Sequence, residues 1–327
     1  MAACSNDEGD ATVDNERVPL RIVSSISVEQ SVTTRAANSA WEAADQIGIF
    51  CTEDNNTANI YTDVTPTTCN NLPYIFDDGT NYETSGTNYR AFTGTTVYLP
   101  ANGTNIDVYA YYPYKAQDSN SDGIDDLSPT AVPINVATQT WQKAIDFMRA
   151  AVADRNTNNN TAELTFQHKL VKLQFNLKQG TDMLPDEIIN AFTNGNLSVA
   201  IGGQPTAATY NIYTDVLSIT AGSTGITATA MTDAATGYDK SFEAIVLPNK
   251  MTAEGDELAN NTAADRTVTI IIGTTGGHPL ATPGPNYTFT FTIPGGTTFI
   301  AGNKYTYNVT VNTTSIQVNP AKYTEQW

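Results

Sequence analysis

The sequence has few basic residues, histidines and cysteines, and each shortage excludes a class of function. Lys and Arg number 16 against 34 Asp and Glu, which gives a net charge of −18. Because no basic patch is available to neutralise phosphates, nucleic-acid binding is excluded. The two His and three Cys show no zinc-like spacing. No apolar run approaches the roughly 18 residues that a membrane-spanning helix needs.

Signatures of catalysis are also missing, so the sequence predicts a protein that is not an enzyme. No G-x-S-x-G motif occurs, and the glycine-rich segment GTTGGHPL (273–280) lacks the Lys and the helix of a phosphate loop. His168 falls on the same face of a predicted strand as Phe166 and Leu170, which favours a packing role for its side chain. Acidic residues are plentiful, but no spacing singles out the carboxylate pair of a glycosidase.

Strand-like runs separated by turn residues dominate the rest of the chain. In YTFTFTIP, residues 287–294, aromatic and aliphatic side chains alternate with Thr, which predicts one buried and one solvent-facing side. The spacing of these runs is typical of an all-β sandwich fold rather than of alternating strands and helices. The predicted strands cover 45–50, 95–100, 106–114, 164–177, 196–202, 241–248, 266–273, 287–294 and 304–311.

Helical patterns are scarce, and a polar segment divides the chain. Residues 140–155 and 186–195 are the two stretches that we predict as short helices. The segment NTNNNTAE, residues 156–163, is rich in turn formers and suits a linker between two β domains. The predicted organisation is a flexible tether at 1–16, a first β domain at 17–157 and a second β domain at 158–327.

The clearest strand pattern stands near the N-terminus, in RVPLRIVSSISVEQSVTTRAANSAW, residues 17–41. Its apolar side chains fall on even positions, which predicts one face buried in a core. Small polar residues then surround Arg35 and Ala36, as in an accessible loop. Arg35 is therefore either an ordinary surface cation or a site of proteolysis. The apolar positions are Val18, Leu20, Ile22, Ile26 and Val28.

The first ten residues, MAACSNDEGD, place small residues before Cys4 and a polar, acidic tether after it. This resembles the end of a bacterial lipoprotein signal in which Cys4 receives the lipid, and we expect an apolar signal segment upstream. The alternative is an ordinary flexible tail. With Cys4 lipidated, Cys51 and Cys69 form an even pair. A disulfide between them would stabilise the fold by about 3 kcal/mol, although two buried free thiols are also consistent.

An acidic stretch, DSNSDGIDD at residues 118–126, has the beginning of a calcium-binding loop. Oxygen ligands alternate along it, and Gly123 allows the sharp turn. Pro129 occupies the position of the usual bidentate Glu, so we expect at most a weak calcium site. A solvated acidic turn is the alternative interpretation. The ligand positions would be Asp118, Asn120, Asp122, Ile124 and Asp126.

Several segments, in this order, resemble the fimbrillin family of the Bacteroidales, the FimA/Mfa-like pilins. The resemblance extends over nearly the whole chain after Cys4, and the order of the segments carries it more than any single match. The segments are TTRAANSAWEAADQIGIF (33–50), IDVYAYYPY (106–114), KAIDFMRA (143–150), LTFQHKLVKLQFNL (164–177) and FIAGNKYTYNVTV (299–311).

The resemblance implies an outer-membrane lipoprotein precursor with two tandem transthyretin-like β-sandwich domains. A trypsin-like, Arg-specific protease would cut between Arg35 and Ala36 and release the first strand, residues 17–35. The groove left behind would accept a strand of a neighbouring subunit, so that fimbriae grow by donor-strand exchange. The family's lipidated residue corresponds to Cys4.

The position of the subunit in a fimbria stays open. The segment after the closing strand, NTTSIQVNPAKYTEQW (312–327), is either a short donor strand or a last core strand. Stalk, tip and accessory subunits are therefore all consistent with the sequence. The expected partners are other pilin subunits, the maturation protease, and host or bacterial surface glycans or proteins. The alternative function is a surface adhesin or glycan-binding lipoprotein that does not polymerise.

Overall fold

The computed structural model describes most of the chain, in twelve stretches. For residues 80, 82–84, 221 and 320–326 the description is limited to the backbone. The described residues are 17–27, 40–63, 67–84, 87–116, 127–182, 192, 197–221, 225–255, 258–259, 265–272, 287–312 and 314–326.

The described residues form twenty strands and one short α-helix. In chain order they are β1 (Arg21–Ile26), β2 (Gln46–Glu53), β3 (Asn56–Ile60), β4 (Leu72–Thr84), β5 (Thr87–Gly94), β6 (Ile106–Tyr112), β7 (Val132–Asn135), α1 (Gln142–Ile145), β8 (Met148–Arg155), β9 (Thr161–His168), β10 (Val171–Gln179), β11 (Leu197–Gly202), β12 (Ala207–Asn211), β13 (Val216–Ala221), β14 (Ile226–Thr227), β15 (Thr229–Ala230), β16 (Lys240–Val246), β17 (Arg266–Ile272), β18 (Tyr287–Ile293), β19 (Asn303–Val311) and β20 (Ile316–Gln326).

The prediction of an all-β fold is confirmed, but the helix predicted at 140–155 is wrong over most of its length. Only α1 is helical there, and the chain enters β8 at Met148, which pairs antiparallel with β6. In the predicted strand at 95–100, Tyr98 makes an isolated bridge to Pro19. The helix predicted at 186–195 lies outside the described residues except for residue 192. In the described part of the chain, no helix has the length and hydropathy to cross a bilayer.

The first sheet closes on itself like a barrel. Its eight strands run in the order β3-β2-β4-β5-β1-β9-β8-β6, and β6 pairs back onto β2. Seven of the strands thereby form a ring, to which β3 is attached beside β2. Side chains pointing into the ring form one apolar cluster, which includes Ile47, Ile49 and Val108, all fully buried. A closed sheet has no free edges along this ring, which protects its backbone from unwanted pairing.

The remaining strands form three sheets around a second apolar cluster. Their orders are β15-β16-β10-β19-β20, β14-β11-β17-β18 and β13-β12-β7. The side chains of Leu173, Phe175 and Leu177 on β10 are fully buried at the centre of this cluster. The strand β7 precedes α1 in the chain but pairs with β12, so this cluster includes residues from the first half of the sequence.

The run at 164–177, predicted as one strand, is two strands separated at Lys169 and Leu170. The strand β9 belongs to the ring, whereas β10 is central in the second group of sheets. Between them His168 Nδ1 lies 2.8 Å from Asp146 Oδ1, and both side chains are fully buried. The imidazole of His168 is thus held in place by a hydrogen bond to the Asp146 carboxylate.

Candidate functional site

The most distinctive arrangement in the ring is the seam formed by β1 between β5 and β9. The strand β1 pairs antiparallel with β5, placing Ile22 opposite Phe92, and parallel with β9, placing Ile26 opposite Phe166. Among the described strands, β5 is bordered by β4 and β1, and β9 by β1 and β8. β1 therefore joins β5 to β9, which are not paired with each other.

The apolar even positions of β1 and of the residues just before it pack against the cluster inside the ring, as the alternation predicts. Leu20 and Ile22 are 6% and 2% exposed, and Val18 and Ile26 are partly buried against the same cluster. Fully burying an aliphatic side chain of this size contributes roughly 1.5–3 kcal/mol. Residue 28, the last apolar position predicted for this strand, lies outside the described residues.

The floor of the seam is aromatic. The ring of Trp41 makes edge-to-face contacts with Phe92 at a centroid distance of 5.0 Å and with Phe166 at 5.2 Å. These two Phe residues are the cross-strand partners of Ile22 and Ile26. Edge-to-face pairs contribute about 0.5–1.5 kcal/mol beyond their burial, so the floor is preformed and rigid. Trp41, part of the family-like motif, therefore has a packing role that its sequence context did not reveal.

Both ends of β1 are fixed by backbone hydrogen bonds outside the ladder. Leu20 N donates to Val97 O at 2.8 Å, and Leu99 N donates to Val18 O at 2.9 Å. At the other end Ser27 N donates to Phe166 O at 2.8 Å. The backbone groups of β1 are thus satisfied on both sides, as buried groups require.

Two side chains of β1 differ from a simple pattern of apolar side chains inside and polar side chains outside. Val23, at an odd position, is 1% exposed and lies opposite Ala91 of β5. Ser24, at an even position, is fully buried, and its Oγ has no hydrogen-bond partner among the described residues. A buried hydroxyl without a partner costs about 1–3 kcal/mol. The strand therefore fits the seam imperfectly at its centre.

Several predicted site residues lie outside the described part of the chain. They include the lipidation candidate Cys4 and the cleavage candidates Arg35 and Ala36. The predicted calcium ligands are also outside it, and their roles stay predictions. These ligands are Asp118, Asn120, Asp122, Ile124 and Asp126.

Cys51 and Cys69, the pair predicted either to form a disulfide or to be free, are neighbours in the first core. Both are fully buried, and Cys51 N donates to Cys69 O at 3.0 Å. In the structure both are free thiols. Burial raises the pKa of the Cys51 thiol, and the hydrogen bond and charge of Cys69 raise it further. A thiol with a raised pKa is a poor nucleophile near neutral pH.

An acidic group that no sequence pattern indicates is formed by Asp54, Asp107 and Asp154. Their carboxylate oxygens lie within 4.8 Å of one another. Asp107 is buried, and its two oxygens accept hydrogen bonds from the backbone N–H groups of Asn55 and Asp154, each at 3.1 Å. They come from the turn between β2 and β3, from β6 and from β8, which no local spacing could have indicated. The hydrogen bonds account for the buried carboxylate structurally.

Comparison with known families identifies one match over most of the chain. The model of a family described as fimbrillin-like, of the Mfa type, matches residues 34–327. The matched range begins just before Arg35 and continues through β20.

Individual proteins give the same result. A curated protein of Bacteroides uniformis, named as a candidate fimbrium subunit, Fim1C, is 28% identical over 340 residues, which cover 98% of this chain and 89% of that protein. A solved structure of a candidate cell adhesion protein from Bacteroides uniformis has a TM-score of 0.62 at 24% identity, covering 96% of this chain and 99% of the other. A second, from Bacteroides ovatus, has a TM-score of 0.58 at 18% identity, with coverages of 95% and 98%. These two structures support the fold.

Proposed function

Because the chain belongs to the fimbrillin-like family, we propose that it is a structural subunit of cell-surface fimbriae whose N-terminal strand is replaced by a strand of a neighbouring subunit. The family consists of structural fimbrial and adhesion proteins rather than enzymes, and its members act at the cell surface together with other subunits. The strand exchange, the maturation cut and the lipid anchor are parts of the proposal.

The observation that carries the proposal is the position of β1 in the closed ring. Removing β1 would unpair the facing edges of β5 and β9 and uncover the aromatic floor around Trp41. The loss of three buried aliphatic side chains alone corresponds to roughly 4.5–9 kcal/mol. A strand from another molecule would restore both the backbone bonds and the side-chain contacts. The precursor is thereby kept from assembling until the strand leaves.

A cut at Arg35 suits this scheme because of its place in the sequence. Arg35 follows β1, so hydrolysis between Arg35 and Ala36 would separate the whole of β1 from the rest of the chain. The partner implied is an Arg-specific protease. Arg21 lies inside β1 and its backbone is hydrogen-bonded, which protects it from the extended binding that proteases require.

The donor segment that fits best is β20, the last strand of the described chain. It lies at the edge of the five-stranded sheet, where it pairs with β19, and its Ile316 and Val318 are partly buried. A strand at an edge with alternating apolar side chains is able to leave one sheet and enter another. Stalk and tip subunits differ in which strands they donate and accept. The proposal covers stalk, tip and accessory positions.

The same proposal includes three features of the precursor. Cys4 would carry a lipid that holds the chain at the outer membrane during assembly. The two apolar clusters would be the cores of two tandem transthyretin-like domains, and the pairing of β9 with β1 suggests a boundary nearer Lys169 than the predicted position between 157 and 158. Weak calcium binding by the acidic loop stays a prediction.

A trypsin titration of the precursor tests the proposal. We expect one early cut after Arg35, followed by a ladder of SDS-resistant oligomers. The variant Arg35→Gln should remain intact and monomeric, whereas Arg17→Gln, which alters the residue before β1, should behave as the unmodified protein does. Mass spectrometry of the product and of surface-extracted protein should give Ala36 as the mature N-terminus and report any lipid on Cys4.

Two results would contradict the proposal. One is a precursor that resists trypsin at Arg35 while other sites are cut. The other is a protein that loses β1, as shown by its mass, and still remains monomeric at concentrations where fimbriae form. In the second case a non-polymerising adhesin would be the better function.

A further inference from the structure

Trp141 is exposed to a degree that is unusual for its residue type. Its side chain is 76% accessible, the largest fraction among the exposed large apolar residues of the described chain. It immediately precedes the short helix α1. Placing an indole in water forgoes a large hydrophobic gain, and exposed Trp side chains are concentrated at binding surfaces.

Trp141 borders a shallow groove of about 340 Å³. The groove walls come from three parts of the chain: residues 43–46 at the start of β2, residues 112–114 at the end of β6, and the beginning of α1. Pockets for small molecules usually have volumes of about 300–1,000 Å³, so the groove suits one or two rings of a ligand. The groove is also lined by Ala43, Asp45, Gln46, Pro113, Tyr114 and Lys143.

The polar rim of the groove is held rigidly. Lys143 Nζ lies 2.8 Å from Glu42 Oε2 and 2.8 Å from Asp45 Oδ1. Asp45 is itself buried, and its carboxylate also accepts hydrogen bonds from Tyr112 Oη at 3.1 Å and from the backbone N–H of Glu42 at 2.8 Å. Glu42 and Lys143 remain partly accessible, so a fixed acceptor and a fixed donor stand beside the groove.

The charges around the groove select the kind of ligand. Two carboxylates face one ammonium group at the rim, and the chain carries a net charge of −18. An anionic ligand would be repelled both locally and at a distance. A purely apolar ligand would leave the rim groups to be desolvated without compensation. The combination fits a neutral ligand with one apolar face and several hydroxyl groups.

We propose that Trp141 and this groove form a binding site for a neutral saccharide. The C–H groups on one face of a pyranose ring would stack on the indole, and its hydroxyl groups would reach Glu42, Lys143 and Gln46. Gln46 is also the cross-strand partner of Ile75, which is exposed, so that the surface continues for a second sugar ring. The site does not depend on the proposed fimbrial assembly, because its residues lie outside the β1 seam.

The test uses the uncut, monomeric protein on an array of neutral oligosaccharides, followed by calorimetric titration of the ligands that bind. We expect saturable binding, at least a tenfold loss of affinity in Trp141→Ala, and partial retention in Trp141→Phe. Tyr287→Ala is the matched control, because Tyr287 is an exposed aromatic residue on β18, and its removal should not change the affinity. Binding should also shift the tryptophan emission of the unmodified protein but not that of Trp141→Phe.

Two outcomes would overturn the proposal. The first is an array without saturable binding of any neutral saccharide. The second is binding that Trp141→Ala leaves unchanged. If that variant also no longer forms oligomers after cleavage, the groove would be assigned to a subunit interface. Failure of assembly together with normal, Trp141-dependent sugar binding would count against the proposed function alone.

Discussion

The first and last strands of the described chain are placed in opposite ways. β1 lies inside a closed ring, paired on both sides, with Leu20, Ile22 and Val23 buried. β20 lies at the edge of an open sheet, paired with β19 through a register that shifts twice, and its side chains at 316 and 318 are half-buried. One terminal strand therefore completes its core, and the other is added to the side of a core that is already formed.

In the proposed polymer, this difference would give the two strands different roles. Removing β1 would leave two unpaired strand edges and an uncovered floor, whereas removing β20 would leave the single edge of β19. Under the proposed strand exchange, β20 would be the better donor and the site of β1 would be the acceptor. Mutations in β1 should therefore destabilise the monomer more than mutations in β20.

The largest expected effect is that of a charge in β1. Ile22→Asp should lower the free energy of unfolding by roughly 4 kcal/mol or more, because it buries an unpaired carboxylate in an apolar core. Ile316→Asp on the half-buried β20 should cost about 1 kcal/mol. Urea denaturation of the uncut precursor, followed by tryptophan fluorescence and circular dichroism, measures both.

The control for this comparison is Ile22→Val, which removes one methyl group and should cost about 0.5–1.5 kcal/mol. If Ile316→Asp proved as destabilising as Ile22→Asp, β20 would be an essential part of its core. The contrast between the two strands, and with it the choice of β20 as donor, would then be wrong.

A smaller effect is expected at Cys51 and Cys69, which lie in the ring that contains β1. We propose that these two residues are joined by a disulfide that forms while the chain is still unfolded and both thiols are accessible, by exchange with a disulfide oxidant that takes up the two electrons and two protons. The bond should add about 3 kcal/mol to the stability of the first core. Intact-mass measurement after alkylation in denaturant reports the oxidation state, and unfolding with and without reductant reports the stability.

The matched control is Cys51→Ala/Cys69→Ala, in which reductant should have no effect on unfolding. Surface-extracted protein that alkylates at both residues without prior reduction would show that the pair stays reduced. If reductant lowered the stability of the sheet that contains β20 as much as that of the ring, the two cores would unfold as one unit. The contrast between the surroundings of β1 and β20 would then not apply to stability.

The sequence predicted the period-two strands well, because each has a buried and a solvent-facing side. In β18 the exposure falls from Tyr287 to the buried Ile293, with the Thr residues exposed as expected. The helix predicted at 140–155 failed because Met148, Ala150 and Val152 also fit a strand, and the pairing with β6 decides between the two. Local pattern cannot include the energy of a distant partner.

The seam itself was only half predictable. The alternation at Leu20 and Ile22 indicated a buried face, but the parallel pairing of β1 with β9 joins residues about 140 positions apart, such as Arg21 and Thr161. The split between β9 and β10 was missed for a related reason. The run through Lys169 is apolar on both sides because it passes from one core into the other, and hydrophobicity alone does not distinguish two cores.

The smallest expected effect, and the one of opposite sign, is at Ser24. Its buried Oγ has no partner among the described residues, whereas the hydroxyl of the neighbouring Ser25 lies 3.4 Å from Thr165 Oγ1. Ser24→Ala should therefore raise the free energy of unfolding of the precursor by about 1 kcal/mol. The control is Ser315→Ala, in the exposed segment before β20, which should leave the free energy of unfolding unchanged. A tighter β1 should also leave more slowly, so after cleavage at Arg35 the variant should form oligomers at a reduced rate. Urea denaturation and timed gel assays test the two effects separately. If Ser24→Ala were destabilising, the hydroxyl would have a partner such as a buried water. An imperfect fit of β1 at Ser24 would then not explain how a donor strand displaces it.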